Sequence, residues 1–272
     1  MTGRTFDWGP LLEGGPLFLG ILNLTPDSFS DGGRFLDPSA ALEQARRLVA
    51  SGARMLDLGA ESTRPGSAVV DAATEWNRLE PVLAALTGTL PHIPLSLDTR
   101  HAAVAAKGLA AGASVINDVD GFTEPAMLEL ARHSPCGLIA MRSRSLGEGF
   151  LMPPYDNPTP KDATSALGEL LIVRDRLRAA DITDARVLLD PGFGFGTTFP
   201  EDLALWEALP RLPEALAWPV DRICIGISRK RFLATRADTP GLPPGRRDTL
   251  TAAAHAEALE WGYRVFRTHA IG

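Results

Sequence analysis

The chain has 272 residues, 22% charged and 45% hydrophobic, with 26 Gly and 22 Pro, a composition that buries a core and excludes a disordered protein. Its 27 Lys and Arg against 33 Asp and Glu give a net charge of −6, which leaves no basic field for non-specific nucleic-acid binding. The apolar run at 17–22 is far shorter than the roughly 18 residues that a membrane span needs, and no targeting segment is evident. Small molecules are therefore the expected partners, with no nucleic acid and no membrane, and the cytoplasm is the expected address. Two cysteines, Cys136 and Cys224, lie in apolar runs and read as reduced core thiols, which argues against a disulfide scaffold.

In chain order, the apolar runs bounded by Gly, Pro and Asp predict a strand at 17–22 and then, after a polar, Gly-ended loop at 23–33, a helix at 38–51. That helix opens on Asp37-Pro38, an N-cap followed by proline at the first helical position. Strands follow at 54–58, 93–97, 114–117, 136–141, 186–190, 223–227 and 264–268. Helical spacing predicts helices at 74–88, 101–111, 124–133, 160–180, 200–213 and 247–262, and 143–160 reads as a long Pro-rich loop. Eight buried strands alternating with helices indicate a parallel sheet, and at this length a single (β/α)8 barrel spanning 1–272, with a doubly wound open sheet as the alternative. Only four residues follow the eighth strand, so the eighth helix is missing from the chain. Either the chain is cut or one flank stays uncovered, with apolar surface expected there.

A barrel gathers its chemistry where the strands end, and here those ends are polar: Asn23, Asp57, Asp98, Asn117-Asp118, Met141-Arg142, Asp190, Ser228-Arg229-Lys230 and Arg267-Thr268-His269. Turn chemistry explains one or two of them, not eight. Asp57, followed by Leu58-Gly59, reads first as a turn residue, and Asp98 suits a helix cap near His101 as well as it suits a site. Asp98, Asn117, Asp190 and Lys230 match the donor and acceptor edge of a nitrogen heterocycle. Arg64, Arg267, His269, Ser62 and Thr63 suit an anion. Asn23 would hold Mg²⁺ only if phosphate supplied the other oxygens. Residues 190–196, DPGFGFG, lack the G-x-G-x-x-G spacing of a dinucleotide site and read as a close-approach loop. His92, His101, His133 and His255 show no ligand spacing.

The segments GILNLTPDSFSDGGRF (20–35), LGAESTRPGS (58–67), SLDTR (96–100), INDVDG (116–121), LLDPGFGFG (188–196) and GISRKRFL (226–233) together resemble the dihydropteroate synthase family. The resemblance implies a barrel enzyme that condenses 6-hydroxymethyl-7,8-dihydropterin pyrophosphate with p-aminobenzoate, using Mg²⁺. It places Asp98, Asn117, Asp190 and Lys230 on the pterin, Met141 against the ring, and Asn23 on the metal. Thr63, Arg64, Arg267 and His269 fall on the pyrophosphate. Phe193, Pro65 and the loop with Ser228 and Lys230 border p-aminobenzoate, where sulfonamides would compete. Asp98, Arg267 and His269 then act electrostatically and no acid or base is needed, because the aniline nitrogen is already a neutral nucleophile.

The resemblance also implies a homodimer built largely from the last three helices, one of which does not follow strand eight here. Three positions depart from the family pattern: Arg142 stands where His is usual after Met141, Thr197 where Lys follows the glycine loop, and Ala270 where Asp follows His269. These departures motivate a non-catalytic pterin-binding paralogue as the alternative. A methyltetrahydrofolate-binding corrinoid methyltransferase would share the pterin pocket but has no use for Arg64, Arg267 and the Ser228–Lys230 loop.

Overall fold

A computed structural model describes residues 5–25, 37–61, 70–142 and 163–271. Eight parallel strands form one sheet: β1 (Leu17–Asn23), β2 (Met55–Gly59), β3 (Leu95–Asp98), β4 (Val115–Asp118), β5 (Gly137–Met141), β6 (Val187–Asp190), β7 (Cys224–Ile225) and β8 (Val265–Thr268). The strand order is β6-β5-β4-β3-β2-β1-β8-β7, and a single bridge from Leu189 to Ile223 joins the two ends, so the sheet closes into a barrel. The connecting helices are α1 (Gly9–Leu12), α2 (Pro38–Ala50), α3 (Ala72–Thr89), α4 (Ala102–Ala110), α5 (Pro125–His133), α6 (Ala163–Ala179), α7 (Phe199–Ala208), α8 (Leu212–Leu216), α9 (Arg231–Arg236) and α10 (Asp248–Glu260).

The pleat sorts each strand into two faces. Leu56 and Leu58 of β2 pack outward with Leu48 of α2 and Leu79 and Leu83 of α3. Ile116, Leu138, Ala140 and Leu189 pack outward with Leu170 and Val173 of α6. The residues between them point inward: Leu19, Met55, Val115, Ile139, Leu188, Cys224 and Val265 form one apolar cluster that also holds Trp8. Trp8 is fully buried, and its indole N–H donates to the Arg186 carbonyl at 2.8 Å, which seats the N-terminal segment on this floor.

The expected (β/α)8 architecture is the observed one, and each strand lies within a residue or two of its expected position. Asp37 caps α2 by accepting from the Ser39 amide at 2.8 Å. The expected helix at 200–213 is divided: α7 ends at Ala208, a 3₁₀ turn covers Leu209–Arg211, and α8 follows, because Pro210 and Pro213 interrupt the amide ladder. The short α9, RFLATR, follows directly on Arg229-Lys230 and is too brief for an apolar periodicity to mark it. Residues 226 and 227 of the expected seventh strand leave the ladder. No helix follows β8 among the described residues. Phe18 of β1 is half-buried and stacks on Phe266 with ring centroids 5.5 Å apart; the one large hydrophobic side chain exposed among the described residues is Ile172 on α6.

Candidate active site

Two residues beyond the apolar floor, the pleat brings the next inward side chains to the carboxyl end of the barrel. From Met55, Val115, Ile139, Leu188, Cys224 and Val265 this step leads to Asp57, Asn117, Met141, Asp190, Gly226 and Arg267. A dry layer thus supports a polar one on the same strands. Asp98 joins it from β3, in register with Gly59 and Asn117.

The layer is bonded across the barrel. The Arg267 guanidinium donates through Nε to Asp57 Oδ2 at 2.5 Å and through a terminal nitrogen to Asp98 Oδ2. Asn117 Nδ2 donates to the same Asp57 oxygen at 3.1 Å. Asp57 Oδ1 remains buried with no protein partner, an acceptor of the kind that a bound donor would satisfy. Asp57 therefore belongs to the site and is no turn residue; it sits in the middle of β2, opposite Ile21 and Ser96. Its apolar neighbours Leu56 and Leu58, one place either side, carried that signal. Asp98 is not a helix cap either: the His101 amide at the start of α4 is taken by Thr99 Oγ1 at 3.1 Å.

Burial dominates the electrostatics. It pushes the Asp98 carboxyl well above the ordinary range, aided by neighbouring Asp57 and opposed by Arg267. Asp190, which accepts from the Gly192 amide at 2.7 Å, is also raised by burial. Burial lowers Lys230 to about 8 and His269 to about 3, so His269 is neutral at physiological pH. An acidic, water-poor layer with one arginine across it demands hydrogen-bond donors from whatever occupies it. Gly226 leaves it the necessary room: a Cβ there would lie 3.0 Å from Asp190 Oδ2.

At the rim, His269 gathers the remaining candidates. Its Nδ1 lies 3.0 Å from Ser228 Oγ, which also accepts the His269 amide at 3.0 Å. Its Nε2 is 3.5 Å from Asn23 Nδ2. Ser228 thus orients the imidazole. Met141 is buried and paired in register with Asp190. Thr63 and Arg64, with Ser62 and Pro65, lie outside the described residues, as do most of the 23–33 loop and all of 143–160.

Phe193 is a correction. It is fully buried, stacked on Phe232 at 5.3 Å and tilted against Trp206 at 6.2 Å, so it belongs to the core beneath α7 and α9. The second phenylalanine of GFGFG faces the site instead: Lys230 Nζ lies 4.2 Å from the Phe195 ring centroid. Arg142 also turns away from the mouth. It donates to the Pro191 carbonyl at 2.6 Å and the Gly192 carbonyl at 3.2 Å, and pairs with Glu169 at 2.9 Å, which ties the glycine loop to α6.

Comparison with known proteins agrees with this arrangement. Residues 19–269 match the family model described as pterin binding enzyme. A dihydropteroate synthase of Mycobacterium leprae is 38% identical over 255 residues, covering 91% of this chain and 87% of the relative. The chain belongs to the dihydropteroate synthase family of pterin-binding enzymes. Among solved structures, a Xanthomonas albilineans dihydropteroate synthase with 4-aminobenzoic acid superposes with a TM-score of 0.82 at 34% identity, covering 94% of this chain and 88% of that one. The same organism's enzyme in complex with 7,8-dihydropteroate gives a TM-score of 0.80 at 31% identity over 99% of this chain and 94% of that one.

Proposed function

We propose that the chain joins 6-hydroxymethyl-7,8-dihydropterin pyrophosphate to p-aminobenzoate and releases pyrophosphate, with the pterin in the polar layer and the diphosphate at the rim. The observation that carries this reading is the buried, partly unpaired carboxylate layer of Asp57, Asp98 and Asp190 beside Asn117 and Lys230. The ring N–H and amino groups of a pterin supply the donors such a layer lacks, and Lys230 and Asn117 can pair with its carbonyl and ring nitrogens. Met141 packs on the ring, and Phe195 rather than Phe193 borders p-aminobenzoate together with Ser228 and Lys230.

Breaking the bond from the pterin methylene to the diphosphate oxygen places negative charge on the leaving group and positive charge on the pterin. The Asp98 and Asp190 carboxylates stabilise the second charge through the low-dielectric barrel, and the Arg267 guanidinium, held beside Asp57 and Asp98, stabilises the first. Neutral His269, held by Ser228, donates to a diphosphate oxygen. Thr63 and Arg64 complete the anion site in this reading. The amine of p-aminobenzoate attacks as a neutral nucleophile and loses its proton after the carbon–nitrogen bond forms.

Among the described residues no group of three or more His, Cys, Asp or Glu is placed to hold a metal; Asn23, whose amide nitrogen lies beside His269, offers one neutral oxygen. That donor set fits a Mg²⁺ ion carried in on the diphosphate, with Asn23 holding it at the rim. Bound there, the ion supplies charge neutralisation for the departing pyrophosphate.

The departures from the family pattern favour a working enzyme over a non-catalytic paralogue. Ser228 takes over the orientation of His269, and Arg142 and Thr197 are both bonded into the loop that frames the site. The test mixes protein, Mg²⁺, pterin pyrophosphate and p-aminobenzoate and follows pyrophosphate. Release that depends on p-aminobenzoate supports the synthase; tight pterin binding with no release supports the paralogue.

A further inference from the structure

The glycine loop after β6 is held at two points by two buried carboxylates. Asp190 holds its start through the Gly192 amide, and Asp202, on the first turn of α7, holds its middle. Asp202 Oδ1 accepts from the Gly194 amide at 2.9 Å and from the Thr197 hydroxyl at 2.7 Å, while Thr197 Oγ1 lies 3.1 Å from the same Gly194 amide. Asp202 and Thr197 are each about 2% exposed.

Gly194 is also the point where the loop meets Lys230. Its φ is +73°, and a Cβ there would stand 3.1 Å from Lys230 Cδ and 3.2 Å from Nζ, so only glycine lets the backbone approach this closely. The next residue, Phe195, presents the ring that faces Nζ. Moving the Gly194 amide therefore shifts the Phe195 ring relative to Lys230, the two groups that border p-aminobenzoate.

We propose that Asp202, with Thr197 as its hydroxyl partner, is a positioning residue that fixes Phe195 against Lys230 and so governs p-aminobenzoate recognition without touching either substrate. The inference rests on the synthase reading above. The chain's departure at 197 belongs to this device: threonine supplies a short hydroxyl that closes the triangle with Asp202 and Gly194. Of the charges around Lys230, those of Asp202 on α7, Asp190 on β6 and Asp98 on β3 favour the ammonium, and Arg267 on β8 opposes it.

The test uses Asp202→Asn, Asp202→Ala, Thr197→Val and Thr197→Ser in the full chain. In the Asp202 variants KM for p-aminobenzoate should rise about tenfold, the scale of one lost buried hydrogen bond, while KM for pterin pyrophosphate stays within about twofold. Thr197→Ser should behave as wild type, and Thr197→Val should fall between.

A second readout needs no turnover. The chain has three lysines, Lys107, Lys161 and Lys230, so carbon-13 labelling at lysine Cε gives three signals, with Lys230→Arg assigning the third. Removing the Asp202 charge should lower the Lys230 titration midpoint in Asp202→Asn, because a facing carboxylate holds the proton on. An unmoved midpoint, or a parallel rise in both KM values, overturns the proposal. If Asp202→Ala does not fold, Asp202→Asn and Thr197→Val decide it. A wild-type protein that releases no pyrophosphate refutes the synthase reading, and the lysine titration still judges Asp202.

Discussion

The barrel floor and the layer directly above it lie on the same strands, two residues apart, and do opposite work. Leu19, Met55, Val115, Ile139, Leu188, Cys224 and Val265 fill the floor with apolar side chains, each adding transfer free energy to folding. Asp57, Asn117, Asp190 and Arg267, one pleat higher, bury polar groups that cost stability unless they are paired. Stability and ligand chemistry are thus separated by a single pleat, so substitutions in the two layers should have separable effects.

The largest effect should come from Arg267→Ala. Removing the guanidinium leaves Asp57 and Asp98 without their counter-charge and takes a cation from the site, so kcat/KM should fall about 10²- to 10³-fold and melting should also drop. Turnover and melting that both stay near wild type would place Arg267 outside the site. Leu188→Ala tests the floor: urea unfolding should show a loss of about 2–5 kcal/mol, with pterin pyrophosphate affinity of the folded protein unchanged. Asp190→Asn, two residues along, should reverse that pattern. Calorimetry should find binding weaker by about 1–3 kcal/mol, with melting unchanged or higher because a buried charge has gone; equal affinity would remove Asp190 from the pocket.

The smallest effect concerns a buried group outside both layers. His255 on α10 packs against Phe266 at 4.7 Å, its Nε2 has no partner, and burial lowers it from 6.5 to about 4. As pH falls below 6.5 the unfolded chain takes up this proton first, so stability present above 6.5 is lost progressively toward 4. His255→Leu should therefore differ from wild type by about 1 kcal/mol or less at pH 7, while its melting temperature declines less between pH 7 and pH 5. Identical slopes would show that His255 does not carry this acid sensitivity.

The barrel was legible because each strand is a short apolar run closed by a polar residue, a signal that neither the helices nor the loops obscure. Asp57 was not legible as a site residue, because a lone Asp before Leu-Gly looks like a turn until the strand register shows that it points into the barrel. Phe193 and Phe195 are equivalent in the string GFGFG, and only the tertiary packing separates them: Phe193 stacks on Phe232 in the core while Phe195 faces Lys230. Arg142 could serve an anion or a local ion pair on sequence grounds; the close carbonyls of Pro191 and Gly192 decide for the latter.

The barrel is closed by one bridge, Leu189 to Ile223, where every other neighbouring pair of strands has a ladder. That makes the junction of β6 and β7 the loosest stave of the cask, and Asp190 and Lys230 stand on its two sides. A heterocycle gripped by both would act as a hoop across the gap, so occupancy should slow amide exchange at Ile223 more than at the laddered strands opposite.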